Sequence, residues 1–267
     1  MTKLIMRTWH DRRLFFLVYT ALSVLMLLMY VAIFPSLKAQ MASYDQIMKT
    51  MPQALLKAMG VDQLGFNSLE GFLSIEYFGM LWMIIAILFS ISFAGRSIAG
   101  EIENRTMSIL LSLPISRIKL YWTKYFTGLV MVEIFTAISI LSVIPLAEIF
   151  KIGFTPSHFL LMWLLGTFFS GAIYSLTVMA SSLNSDKGRV YLLIGSLLVA
   201  MDLVNILAAL KPSLDNLKYL SFFYYYTPSD ALNHGHVSPS AFLVFGIIII
   251  ASAIMGLAWF KHRDITV

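Results

Sequence analysis

The chain contains no cysteine, which removes disulfides, thiolate metal sites and cysteine nucleophiles. It is also poor in charge: 12% of its 267 residues are Asp, Glu, Lys or Arg, against about a quarter in soluble domains. With 59% hydrophobic residues and a mean hydropathy of +0.81, it reads as an integral membrane protein with no stretch left over for a separate soluble domain. No G-x-x-x-x-G-K-[ST] sequence occurs, so the loop that cradles nucleotide phosphates is missing. H-E-x-x-H is absent as well. All five histidines fall in loops or flanks, which leaves no deep imidazole for an intramembrane serine protease. There is no long basic tail and no aromatic-basic pattern, so Lys and Arg act as topology signals and no nucleic-acid partner is expected.

What is present is a series of apolar runs, rich in Met and Phe, that suit lipid-facing and helix-packing surfaces better than a cofactor box. Each is about twenty residues long, enough for a helical span. They predict an all-α integral membrane protein with six transmembrane helices, at about 14–34, 75–93, 126–146, 159–180, 191–210 and 241–260, forming a single domain over 1–267. Residues 1–13 carry Lys3, Arg7, Arg12 and Arg13 and suggest a short basic interfacial helix before a retained first span. Pro35 and Pro145 are expected to end the first and third spans. The loop over 36–74 holds Tyr44, Met48, Met51, Leu55 and Met59 at helical spacing, which suggests an amphipathic outer helix. Gly166 with Ser170 and Gly171 with Ser175 form small-xxx-small pairs, read as packing. The stretch 211–240, with the aromatic run Phe222 to Tyr226, reads as a second long outer loop.

Six spans put both ends on one side. Of the 19 Lys and Arg, thirteen fall on the side of the termini, which makes that side cytoplasmic in a cell membrane. The same side holds a polar island over 95–124, between the second and third spans. Taken as one helix, 100–113 sorts into an apolar face (Ile102, Thr106, Ile109, Leu110, Leu113) and a polar face (Glu101, Arg105, Ser108, Ser112). Glu101 and Arg105 have the spacing of an i, i+4 ion pair. Leu113-Pro114 breaks the helix, and Ser116 is placed to cap the next one, which carries Arg117, Lys119 and Lys124 into the third span.

Gly100-Glu101-Ile102-Glu103, Arg105-Thr106 and the run from Ile109 to Arg117 through Pro114 resemble the signature of ABC type-2 transporter permeases. Trp259-Phe260-Lys261-His262-Arg263-Asp264 is similar to the ending of that family. The resemblance implies a coupling helix between spans 2 and 3 that docks on a cytoplasmic ATPase. Glu101, Glu103, Arg105, Thr106, Pro114, Arg117 and Lys119 are the expected contacts. It further implies two permease chains with two ATPase subunits, ATP and Mg²⁺ held by the ATPase, no cofactor in this chain, no catalysis of its own, and export. Many members have Gly where Arg105 stands, and an arginine there is expected to lie on an exposed helix face.

Inside the spans, Glu133 and Asp202 with Asn205 are candidates either to line a substrate path or to pair with neighbouring helices. His234-Gly235-His236 with Asp230 is a weak pattern for an outer metal site, and no metal is assigned. A secondary transporter driven by ion gradients stays open as an alternative, although internal repeats and broken spans are not evident. An intramembrane enzyme is the weaker alternative.

Overall fold

The computed structural model describes residues 2–38, 68–112 and 114–264. The amphipathic outer helix expected around Tyr44 to Met59 lies outside the described residues, as does Leu113. Among the described residues there is no strand, and six helices are long and apolar enough to cross a membrane. They cover Leu4–Lys38, Leu69–Gly95, Arg117–Ile149, Pro156–Leu183, Lys187–Leu210 and Pro239–His262, here spans 1 to 6. Each expected run is present, and most extend into the flanking polar residues, whose long side chains reach water from a helix end.

Span 1 corrects two expectations. Its helix runs unbroken over Thr2–Lys38, so residues 2–13 do not form a separate interfacial helix. No Gly or Pro interrupts the Arg13–Leu14 junction, and an existing helix propagates through it. Pro35 sits inside the last turn without ending the helix, because so close to the end few hydrogen bonds remain for it to break. At 1.5 Å per residue the 37-residue helix is about 55 Å long, against about 30 Å of hydrocarbon. Pro145 likewise lies within helix, in the short piece Val143–Ile149 that continues Arg117–Leu141.

Span 2 starts at Leu69 under a Ser68 cap, whose hydroxyl accepts from the Gly71 N–H at 3.1 Å. It is π-helical over Ser74–Trp82 and α-helical over Met83–Gly95. Gly79 permits the wide turn: a Cβ there would lie 2.8 Å from the Ser74 carbonyl oxygen. The π segment is tied sideways. Tyr77 donates to the Ser23 carbonyl at 2.9 Å, Tyr226 donates to the Phe78 carbonyl at 3.0 Å, and the Trp82 indole donates to Ser139 at 2.8 Å.

Span 4 is the hub, 61% buried where span 5 is 17% buried. Its small residues let neighbours approach, as expected, and its hydroxyls also bond them. Ser170 pairs with Thr136 at 3.0 Å and Ser175 with Tyr125 at 2.7 Å. Tyr174 donates to the Tyr125 carbonyl at 3.0 Å.

The stretch 211–240 is folded, which corrects its reading as a loop. It forms a 3₁₀ helix, Pro212–Leu220, and two short α-helices, Phe222–Tyr225 and Pro228–Asn233. Phe222, Tyr226, Ala231 and Leu232 are buried. Tyr226 stacks on Phe169 with centroids 4.3 Å apart and on Trp82 at 6.2 Å, so the aromatic run reaches in between spans 2 and 4 near their midpoints. Among the described residues no three His, Asp or Glu side chains are grouped to hold a metal.

A Cβ on Gly166 would meet Ile140 at 2.7 Å and Trp82 at 3.0 Å. Gly166→Val is expected to destabilise the bundle by about 1–3 kcal/mol, the range for overpacking. The check is a lowered melting temperature by fluorescence-detected size exclusion, with Gly153→Val, which has open space around it, as the control.

Candidate coupling site

The polar island leaves span 2 at Gly95 and folds as two short helices, Ala99–Glu103 and Met107–Leu111. The single helix expected over 100–113 is not formed, because Arg105 adopts a left-handed backbone with φ 57°. The Thr106 N–H reaches back to the Glu101 carbonyl at 2.9 Å and the Arg105 N–H to the Ile102 carbonyl at 2.9 Å. These paired bonds make a Schellman turn that satisfies carbonyls at the end of the first helix. The left-handed position of such a turn favours glycine, which gives a physical reason for the glycine common there in the resembling family. Arg105 is exposed as expected, but at a turn and not on a helix face.

Glu101 therefore does not pair with Arg105. Its Oε1 lies 2.7 Å from Lys124 Nζ, and its Oε2 accepts from the Thr106 hydroxyl. The Lys124 side chain is 6% exposed and that of Glu101 21%, so the pair is largely shut from water. Burial alone would push the Glu101 carboxyl up, but Lys124 and the Thr106 hydroxyl hold it below the usual carboxylate range. The expected faces change accordingly: Met107 and Leu110 are buried, while Ile109 is 60% exposed.

Four other spans hold the segment. Lys124 belongs to span 3. Ser181 of span 4 accepts from the Ala99 N–H at 2.8 Å and donates to the Gly95 carbonyl at 3.0 Å. Lys187 opens span 5, and both its backbone N–H and its ammonium bind Glu103, each at 3.0 Å. This places a carboxylate at a helix N-terminus, and the Lys187 N–H and ammonium hold the Glu103 carboxyl below its usual range. From span 1, the Phe15 ring lies under the Arg96 guanidinium of the segment at 5.9 Å, and Arg12 donates to the carbonyl of Phe93 at the end of span 2 at 3.1 Å and lies over its ring at 4.9 Å.

The C-terminal motif closes the same end of the bundle. Arg263 donates to the Ser182 carbonyl at 2.8 Å and the Asn184 carbonyl at 2.9 Å, capping the end of span 4. Arg117 donates to the Arg263 carbonyl at 2.6 Å. Ser116 caps span 3 as expected, accepting from the Lys119 N–H at 3.3 Å.

Of the seven residues expected at a partner contact, Glu103, Arg105, Pro114 and Lys119 are exposed, while Glu101, Thr106 and Arg117 are half-buried in bonds within the chain. Lys124, Ser181, Lys187 and Arg263 were not among them. Two of them carried a signal: Arg263 in the C-terminal motif, and Lys124 as a cation at the head of the third apolar run. Glu133, Asp202 and Asn205 lie elsewhere, half-buried within spans 3 and 5.

Removing one member of a buried pair strands the other charge. Lys124→Met is expected to cost about 3 kcal/mol, and the double variant with Glu101→Gln is expected to recover part of that loss in thermal unfolding. Because the folded carboxyl is depressed, the pair stabilises above the unfolded pKa of about 4.3 and its contribution is lost as pH falls through the lower folded value. The difference between parent and double variant should therefore be flat between about pH 5.5 and 8. At the turn, Arg105→Gly should stay within about 1 kcal/mol of the parent, while Arg105→Val, β-branched in a left-handed position, should lose more.

No curated protein matches the chain. The model of one family does, over residues 11–265, and its description is ABC-2 family transporter protein. Six spans, with a short helical segment bound into the bundle between the second and third, accord with that match, and the chain belongs to the ABC-2 transporter family.

Proposed function

We propose that this chain is the permease half of an exporter in the cell membrane, driven by a separate ATPase subunit through the segment 96–119. Family membership makes it a membrane-spanning transport subunit and implies an ABC ATPase partner. The observation that carries the coupling role is the two-sidedness of the segment. One side meets span 1 where Arg96 lies over the Phe15 ring, and is bonded to spans 3, 4 and 5 through Lys124, Ser181 and Lys187. The other presents Asn104, Arg105, Ile109, Ser112 and Pro114 to solvent. A push on the outer side is passed to four spans together.

Thirteen of the 19 Lys and Arg lie on the side of this segment, which orients it and both termini toward the cytoplasm. Two copies of the chain with two ATPases form the working transporter. ATP and Mg²⁺ bind to the ATPase, and this chain's residues carry the motion. Closing of the ATPases draws the two segments together, and spans 2 and 3 follow.

The test is co-purification and transport with the cognate ATPase. Ile109→Glu should lower association by about tenfold or more, since it places a charge in a contact that must be desolvated. Glu101→Gln should keep association yet lower transport per ATP hydrolysed. Undiminished association of Ile109→Glu, or accumulation that follows an ion gradient without ATP, would overturn the reading in favour of a secondary transporter.

A further inference from the structure

Span 3 carries one acid at its midpoint, Glu133, equally far from Arg117 and Ile149. Its Oε2 is buried and has no hydrogen-bond partner. None of the four ion pairs among the described residues includes it. Within span 3 the nearest cation along the chain is Lys124, nine residues and about 13 Å back along the helix, and Lys124 is already bound to Glu101.

Span 4 faces this carboxyl with a matching strip. Trp163, Thr167 and Gly171 recur at i, i+4 and i+8, on one face. The Trp163 indole N–H and the Thr167 hydroxyl are also buried without a partner. Thr167 is the polar side chain that interacts with Glu133, though no hydrogen bond within 3.5 Å joins them. Gly171 lets the two spans approach: a Cβ there would lie 3.3 Å from Glu133 Oε1, 3.4 Å from Ile249 of span 6 and 3.9 Å from Leu129. Glu133 and Thr167 thus lie together beside Leu129 and Ile249, and the partnerless Trp163 N–H belongs to the same face of span 4 one turn along. Unpaired polar groups in hydrocarbon are costly and are kept where something binds them.

We propose that Glu133, Thr167 and Trp163 form a lipid-facing binding site for a membrane-soluble organic ammonium ion. Glu133 accepts the ammonium N–H groups, and Thr167 accepts or donates beside it. The Trp163 indole donates to an acceptor on the ligand, one helical turn or about 5.4 Å further along span 4. The apolar body lies against Leu129 and Ile249. A bare metal ion fits less well, because one carboxylate and one hydroxyl are too few oxygen ligands and the indole N–H is a donor. The site deepens the transport reading by naming the chemistry of a cargo and rests on that reading only for the word cargo.

The test uses the full chain in phosphatidylcholine nanodiscs without ATP or ATPase, so its failure leaves the coupling proposal standing. The probe is an alkyl-diazirine bearing a primary amine, irradiated and mapped by peptide mass spectrometry. Adducts are expected on the span 3 and span 4 peptides around Leu129–Glu133 and Thr167–Gly171, competed by dodecylammonium but not by dodecanol. Glu133→Gln should reduce them by about tenfold, the loss of a charge-assisted hydrogen bond. Thr167→Val, which preserves shape, should reduce them by a smaller factor. Both variants are first checked for the parent's elution and melting profile. Replacing phosphatidylcholine with phosphatidylethanolamine distinguishes the source: competition assigns a lipid amine, and no competition assigns a soluble amphiphile. Equal labelling along all lipid-facing helices, equal labelling by the alcohol analogue of the probe, or unchanged labelling in Glu133→Gln would overturn the proposal.

Discussion

A charge in hydrocarbon must meet water or an opposite charge, and this constraint organises the end of the bundle where the termini lie. Lys124 enters span 3 well past the helix start, too deep for solvent, and Glu101 comes to it from the preceding segment. That meeting fixes where the segment sits. With Glu101 turned inward, Thr106 closes on its second oxygen, the chain must reverse at Arg105, and Met107 and Leu110 fall beneath the second short helix. Glu103, two residues on from Glu101, is then directed to the start of span 5.

The spans were legible because length and hydropathy alone decide them: a run of about twenty apolar residues has few other uses. The cap at Ser116 was legible for the same local reason, a serine at the head of a helical pattern. What the sequence hid was conformation that leaves no period. Arg105 looks like any helix-surface residue until its positive φ is seen, and a strict helical reading then turns Glu101 to the wrong neighbour. The π turn over Ser74–Trp82 is equally silent, since its residues are as apolar as the α-helix that follows. The fold of 211–240 depends on Tyr226 finding Phe169 and Trp82, contacts between distant parts of the chain that no window can show. Of the residues expected to face a partner, Glu103, Arg105, Pro114 and Lys119 were readable in their exposure alone. Glu101 and Arg117 were not, because their bonds run to Lys124 and Arg263.

The two family-like motifs prove to be halves of one construction. The first supplies the segment and its ties to spans 1, 3, 4 and 5. The second returns at the end of span 6, where Arg263 holds the last carbonyls of span 4 while Arg117, at the start of span 3, holds Arg263. Span 4 is thus gripped twice at one end, at Ser181 by the segment and at Ser182 and Asn184 by the tail. Its hydroxyls meanwhile bind span 3 through the membrane depth. The segment is thus tied directly to the most buried span, through Ser181.

The Lys124–Glu101 pair also bears on how the chain is built. Its partners are 23 residues apart, whereas the bonds from the segment to Ser181 and from Arg12 to Phe93 span 82 and 81 residues. Loop closure costs grow with that separation, so the hairpin of spans 2 and 3 can join its charges before span 4 has left the ribosome. A Lys124 paired at that stage enters the bilayer neutralised, with the segment formed ahead of the serine that holds it.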